Sequence, residues 1–231
     1  MCFKGMKIIT KKRLSLAGIF AFVIILCSAC SPALSIQANG TDGASISFKT
    51  GSSPVLEKTF KSMMQSVSGT ETDSGASIFN KETITTMMET AGLLNVITTA
   101  PDTGSILTKG NAAAISQGSL AKAGILTRTA NSLSLALGPK QFQALYAMLD
   151  EESQAYFDLM MIPSLNEDTM TIPQYNDLLS SVYGQKFADE ITTGTLSVQL
   201  SSPDGKKKAE FVTTLGEILT LSEEKNWTVR W

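Results

Sequence analysis

The hydrophobic period changes once along this chain, and that change constrains the fold more than any other feature. From Leu56 to Ile191 large apolar residues recur mostly three and four positions apart; from Leu196 onward they alternate with polar ones. A period near 3.6 lines one face of a helix, and a period of 2 lines one face of a strand. Leu56, Phe60, Met63, Met64 and Val67 share such a helical face, with Pro54 near its start and Gly69 just past its end. Ile84, Met87, Met88, Ala91 and Leu94 form a second stripe behind Asn80, a good N-cap, and Glu82 in the first turn. Phe142, Leu145, Tyr146 and Leu149 follow Gly138-Pro139, and Tyr156, Leu159 and Met160 come next. Thr171 then caps a helix holding Tyr175, Leu178, Leu179 and Val182, which Gly184 ends, and Phe187 to Ile191 add a turn or two.

In the tail, Leu196, Val198 and Leu200 alternate with Ser197, Gln199 and Ser201. Ser202-Pro203-Asp204-Gly205 is a turn signal, and Ala209, Phe211 and Thr213 run back. Ile218 and Thr220, then Trp227, Val229 and Trp231, read as two further strands. A meander of this kind has one apolar face, which the helices must cover. The expected fold is therefore a single α+β domain over residues 51–231. Its helices span 54–192 and pack on a C-terminal antiparallel sheet of three to four strands over 194–231.

Residues 103–149 stand apart. They contain no Asp or Glu, yet carry Lys109, Lys122, Arg128 and Lys140. Ile115, Leu120, Ile125, Leu126, Leu133, Leu135 and Leu137 supply bulk, while Gly110, Gly118 and Gly124 interrupt. The expectation is one or two weak helices, each glycine costing about 1 kcal/mol in a helix interior. Two roles suit such a segment: a central buried helix, or an interfacial element that inserts at a bilayer.

The first thirty residues read as an address. Lys4, Lys7, Lys11, Lys12 and Arg13 precede an apolar run from Leu14 to Leu26, and Cys27-Ser28-Ala29-Cys30 follows. A basic region, a short apolar run and small residues make an export signal, cut before residue 30. The cut is followed at once by a cysteine, as in a bacterial lipobox, where the thiol is diacylated and becomes the mature N-terminus. Cys27 stands where the usual motif has Leu, so the lipobox is of the relaxed kind. Cleavage after Ala29 or Ala33, giving an unlipidated secreted protein, is the alternative. In the lipidated reading, residues 30–50, with their Ser, Pro, Asn and Gly, form a tether in which Ile46 and Phe48 hint at a short strand that pairs with the C-terminal sheet. Cys30 is then the only cysteine left, and no disulfide forms within one mature chain.

Composition removes several functions. There is no histidine, which excludes Ser-His-Asp and Cys-His catalysis and His-ligated zinc. Of 19 Lys and Arg, five lie in the leader, leaving 14 against 21 Asp and Glu, a mature net charge of −7. So acidic a domain has no global attraction for nucleic acid. No phosphate-binding, dinucleotide-binding, CxxC or calcium-loop motif occurs, so neither cofactor nor metal is expected. Asp150, Glu151, Glu152, Glu167 and Asp168 are the remaining acid–base candidates, read first as helix-terminal and loop charge. Lys206-Lys207-Lys208 reads as a charged hairpin end that protects an edge. The chain is expected not to be an enzyme.

Three Met-Met pairs, Met63-Met64, Met87-Met88 and Met160-Met161, sit on the helical stripes. Methionine fills cores, and it also lines adaptable apolar grooves for an acyl chain or a partner helix. With Ile115, Leu120, Ile125 and Leu126 of the acid-free segment, these are the candidate contacts for an apolar ligand or a membrane. The relaxed lipobox at Cys30, joined to many amphipathic helices, resembles that of the treponemal outer-membrane-associated lipoproteins. The resemblance implies a lipid-anchored place in the bacterial envelope, on the periplasmic side of the inner or outer membrane, and lipid contact by amphipathic helices. The expected function is binding of lipid or another amphiphile. The alternative is a tethered module that binds another envelope protein, with Trp227 and Trp231 as anchors.

Overall fold

The computed structural model describes residues 32–51, 53–68, 81–90, 92–101, 105–149, 151–166 and 169–231. They form a mixed α+β domain with two sheets. The chain opens with strands β1 (Ala33–Asn39) and β2 (Gly43–Gly51), then helices α1 (Pro54–Ser68) and α2 (Lys81–Thr90). Strands β3 (Leu94–Thr99) and β4 (Ser105–Ala112) follow, then a 3-10 turn (Ile115–Gln117) and the short helix α3 (Ser119–Lys122). Next come β5 (Leu126–Thr129), β6 (Ser132–Leu137), α4 (Pro139–Tyr146), α5 (Glu151–Leu159) and a second 3-10 turn (Pro163–Leu165). Helices α6 (Ile172–Tyr183) and α7 (Gln185–Thr193), strands β7 (Thr195–Ser201) and β8 (Lys208–Thr214), helix α8 (Leu215–Leu219) and strand β9 (Lys225–Arg230) complete it.

The six-stranded sheet has the order β3-β4-β2-β1-β7-β8, antiparallel throughout except for the parallel pair β1–β7. The three-stranded sheet, β5-β6-β9, is antiparallel. Both lie against one hydrophobic core. Leu34, Ile36, Phe48, Leu196, Val198 and Leu200 point inward from the large sheet onto Leu56 and Phe60 of α1, Leu179 of α6 and Phe187 of α7. Ser35, Ser45, Ser47, Lys49, Ser197 and Gln199 alternate onto the other face, as a sheet wetted on one side requires.

Several boundaries are set locally and agree with the sequence. Thr171 caps α6 in a capping box with Gln174, and Gly184, at φ +88°, ends it. Pro54 opens α1, with the Ser53 hydroxyl accepting from the Leu56 amide at 3.1 Å. Ser202 to Gly205 turns β7 into β8 as expected.

Three expectations are corrected. The C-terminal meander is not a separate sheet: only β7 and β8 pair as foreseen, and they join strands from the chain's beginning. Ile218 lies in α8, not a strand, because Thr214 and Glu217 form a capping box that starts a helix there. Trp227 and Val229 lie in β9, which pairs with β6 in the other sheet. Second, residues 33–50 are not a tether but two central strands; β2 pairs with β1 and β4 and shares the sheet of β7 rather than touching it. Third, the region 54–192 is not wholly helical. Leu94, assigned to a helical stripe, lies in β3 beyond Gly92, whose φ of +90° follows the end of α2. The acid-free segment is mostly strand, β4, β5 and β6; of the expected weak helices, only the four-residue α3 and a 3-10 turn lie between them, and α4 follows from Pro139. Its Ile115, Ile125, Leu126, Leu133, Leu135 and Leu137 are all buried.

The C-terminal residues bind the two sheets together. Trp227 stacks on Phe211 with centroids 4.1 Å apart and planes 4° apart. The Arg128 guanidinium lies 5.2 Å from the Trp231 ring centroid and donates to the carbonyls of Gly40 and Thr41 at 2.8 and 3.2 Å. Both tryptophans are thus partly buried against the core.

Close approach at α8 yields a prediction of inverted sign. In a helix, Gly→Ala normally stabilises by about 1 kcal/mol. A Cβ at Gly216 would stand 2.6 Å from the Thr192 carbonyl oxygen and 3.0 Å from Ile172 Cγ2. Gly216→Ala is therefore expected to destabilise by about 1–3 kcal/mol in urea unfolding.

The same cap supplies a pH signature. Glu217 titrates below its ordinary value of 4.5, chiefly because the Thr213 hydroxyl donates to its carboxylate; burial opposes this, and the Thr214 amide and Lys225 reinforce it. A depressed carboxyl stabilises the fold above its unfolded pKa and loses that contribution as pH falls through the folded one. The stability difference between the natural chain and Glu217→Gln should thus be constant at neutral pH and shrink below about pH 4.5. Thermal unfolding of both across that range checks it.

Candidate functional site

An apolar cavity of about 370 Å3 opens where α2, β3 and the segment after β4 meet. Its floor is Leu34, Ile46 and Phe48 of the first hairpin. One wall is Met88 of α2 with Leu93 and Leu94; the other is Ala112 to Ile115, Leu120 of α3 and Leu126. Among the described residues lining it, Gln117 and Ser119 carry the only polar side chains, and none is ionisable. Its size falls within the range of small-molecule pockets.

Each wall is held by identifiable bonds. Helix α2 is pinned to the sheet by a hydroxyl chain: Thr85 donates to Thr98 at 2.7 Å, and Thr98 meets Thr108 at 3.3 Å. Gly110 lets Leu93 lie against β4, since a Cβ there would sit 2.9 Å from Leu93 Cδ2. The opposite rim is held by Asp42 in the first hairpin's turn. Its carbonyl accepts from the Ile115 amide at 2.7 Å, and its carboxylate accepts from the Ser116 amide at 3.2 Å and from the Ser116 hydroxyl. That turn reverses at Gly40, at φ +49°. The cavity is thus built on rigid elements, with its rim tied to the sheet.

Of the residues singled out in the sequence, Met88, Ile115, Leu120 and Leu126 converge here. Ile125, 2% exposed, is core beside Leu126 and does not line the cavity. Met63 is buried in α1 and borders a shallower groove of about 610 Å3 with Leu159, Val182 and Tyr183. Met160 is buried, and its carbonyl accepts the hydroxyl of the fully buried Tyr175 at 2.8 Å. Met161 turns the chain at φ +49° and is partly buried. Of the described methionines, Met88 lines the cavity and Met63 the groove, so these two do not share a pocket. The side chains of Met64, Met87 and Glu152 lie outside the described residues, as do Cys30, Asp150, Glu167 and Asp168. Glu151 is exposed. Lys206 pairs with Asp204 at 3.9 Å on the exposed hairpin.

Sequence reasoning missed Leu34, Ile46, Phe48, Leu93 and Ala112 to Ala114. A signal existed for the first three: Leu34, Ile36 and Ala38, then Ala44, Ile46 and Phe48, alternate with polar residues on either side of Asn39-Gly40, a hairpin pattern.

No protein-family model and no curated protein sequence matches this chain. Among the described residues, no helix is long and apolar enough to cross a membrane, and no three His, Cys, Asp or Glu residues gather as a metal site.

Proposed function

We propose that this chain is a lipoprotein of the bacterial envelope, anchored through acylated Cys30, whose domain binds the apolar part of an amphiphile in the cavity beneath α2. The single observation that carries this is the lining. Burying a hydrocarbon chain gains about 25 cal/mol per Å2, and an uncharged wall imposes no desolvation cost on it. The described lining side chains carry no charge, which favours an apolar ligand over an ionic one. The lipobox places the protein where such ligands are abundant.

The test is uptake of the neutral fluorophore N-phenyl-1-naphthylamine by the chain from Ser31 to Trp231. Saturable fluorescence, displaced by lysophospholipid, is the expected result. A linear signal with no displacement removes the proposal. Vesicle flotation of the same chain separates binding of a single amphiphile from docking on a bilayer.

A protein-binding role is favoured by one observation. Among the described residues, strand β3 stands at an edge of the sheet, and its Leu94 and Ile97 are 54% and 64% exposed. Such an edge accepts an added strand. Recovery of one stoichiometric partner, lost with Ile97→Lys, would establish that role instead.

A further inference from the structure

The described lining of the cavity grades from apolar inside to polar at the mouth, and this grading sets the class of its ligand. Resting on the reading of the cavity as a binding site, we propose that it takes a single-chain lipid whose first polar group is uncharged, an alcohol or an acyl ester. Gln117 and Ser119 hold that group, and the chain inside runs to about twelve carbons.

Leu34, Phe48, Met88, Ile115 and Leu126 make the interior, each 4% exposed or less. Leu94, Ala113 and Gln117 are exposed at the mouth, and Ser119 is half-buried beside them. Gln117 and Ser119 flank Gly118, between the 3-10 turn and α3, and both border the cavity. Ser116, the residue before them, is committed to Asp42. The side chains of Gln117 and Ser119 make no hydrogen bond within the described residues, so their carboxamide and hydroxyl are open to water or a ligand. A ligand hydroxyl or ester carbonyl exchanges hydrogen bonds with these neutral groups while its chain lies inside.

A carboxylate in that place is disfavoured twice. The described lining offers it no cation, and the Asp42 carboxylate is already held at the Ser116 amide, at 3.2 Å, next to Gln117. Glu89 is exposed in the last turn of α2, whose Met88 forms the facing wall. Lys122 ends α3 and is exposed, outside the lining. A charge that keeps its water at the rim cannot draw its chain fully inward. A free fatty acid therefore fails the rule, and a lysophospholipid, whose chain ends on an ester, meets it. Volume sets the length. An apolar cavity of about 150 Å3 accommodates benzene. On that scale about 370 Å3 holds roughly fifteen non-hydrogen atoms, a chain of about twelve carbons with its first polar group. The small side chains of Ala112 to Ala114 leave this space open.

The test uses the chain from Ser31 to Trp231, which carries every described element and the core they share. Primary alcohols of about eight to sixteen carbons, dodecanoate and methyl dodecanoate compete at neutral pH with bound N-phenyl-1-naphthylamine. Alcohol affinity is expected to rise about fourfold per methylene to about twelve carbons and then level. Dodecanol and methyl dodecanoate should each bind at least about tenfold tighter than dodecanoate. Gln117→Ala combined with Ser119→Ala should weaken dodecanol about tenfold and leave the fluorophore's own affinity within about twofold. Unchanged dodecanol affinity in that double variant removes the role of these two residues. Equal affinity for dodecanoate and dodecanol, or dodecanoate binding that Lys122→Gln removes, overturns the head-group assignment and leaves the binding site standing. Affinity still rising beyond about fourteen carbons overturns the length limit. No competition by any of these ligands overturns the ligand class, and if Ala114→Phe also leaves the fluorophore signal unchanged, the cavity reading falls with it.

Discussion

Phe187→Ala is expected to lower the unfolding free energy by about 3–5 kcal/mol. Phe187 is fully buried at 0% exposure, at the junction of α7 with α1 and α6. It meets Phe60 edge-to-face at 5.8 Å and 69°, and Tyr183 at 5.2 Å and 61°. Truncation removes two aromatic contacts as well as the transfer free energy, and rigid helices leave a cavity that closes poorly. Urea unfolding measures the loss. Val212→Ala, at a residue 69% exposed on β8, is the matched control and should shift stability by no more than about 0.5 kcal/mol. Equal effects at the two sites would contradict the core as described.

Leu120→Glu is expected to weaken binding of an apolar probe by about 100-fold, some 2–3 kcal/mol, while leaving the fold intact. Leu120 lies on the short helix α3 and is only partly buried. Water therefore solvates an introduced carboxylate until a ligand displaces it, and no cation lines the cavity to receive it. The cost thus falls on binding rather than on folding. Ala114→Phe acts differently, by filling volume, and should reduce binding without any dependence on pH. Titration of N-phenyl-1-naphthylamine against both variants, with circular dichroism to confirm the fold, measures this. Unchanged affinity in both would place the binding site elsewhere.

What was legible from residue order follows the range of the responsible force. The cap at Thr171, the stop at Gly184 and the turn at Ser202 to Gly205 depend on bonds spanning a few residues, and each matched. The helix at Leu215 was equally local: Thr214 and Glu217 spell a capping box, overridden in the sequence reading by the alternation around it. The acid-free segment was harder. Leu133, Leu135 and Leu137 alternate, but short apolar runs rich in alanine and glycine fit helix and strand alike. Of the cavity, part of each wall was legible, because Met88, Ile115, Leu120 and Leu126 are large apolar residues within the methionine stripe and the acid-free segment. Its floor was not, because Leu34, Ile46 and Phe48 lie in a stretch whose serines and glycines resemble a linker.

By itself the residue order determined the chemistry within reach: no histidine, three cysteines, all within the first thirty residues, and amphipathic elements that had to share a core. The tertiary structure decided which elements share which sheet. Strand β1 pairs with β7 across more than 150 residues, and β9 leaves its neighbours for β6. A strand's own pattern shows which face is buried but not which edge receives it, since backbone hydrogen bonds are the same for every partner. That choice rests on packing all the apolar faces at once, and it sets the cavity over the first hairpin, at Leu34, Ile46 and Phe48.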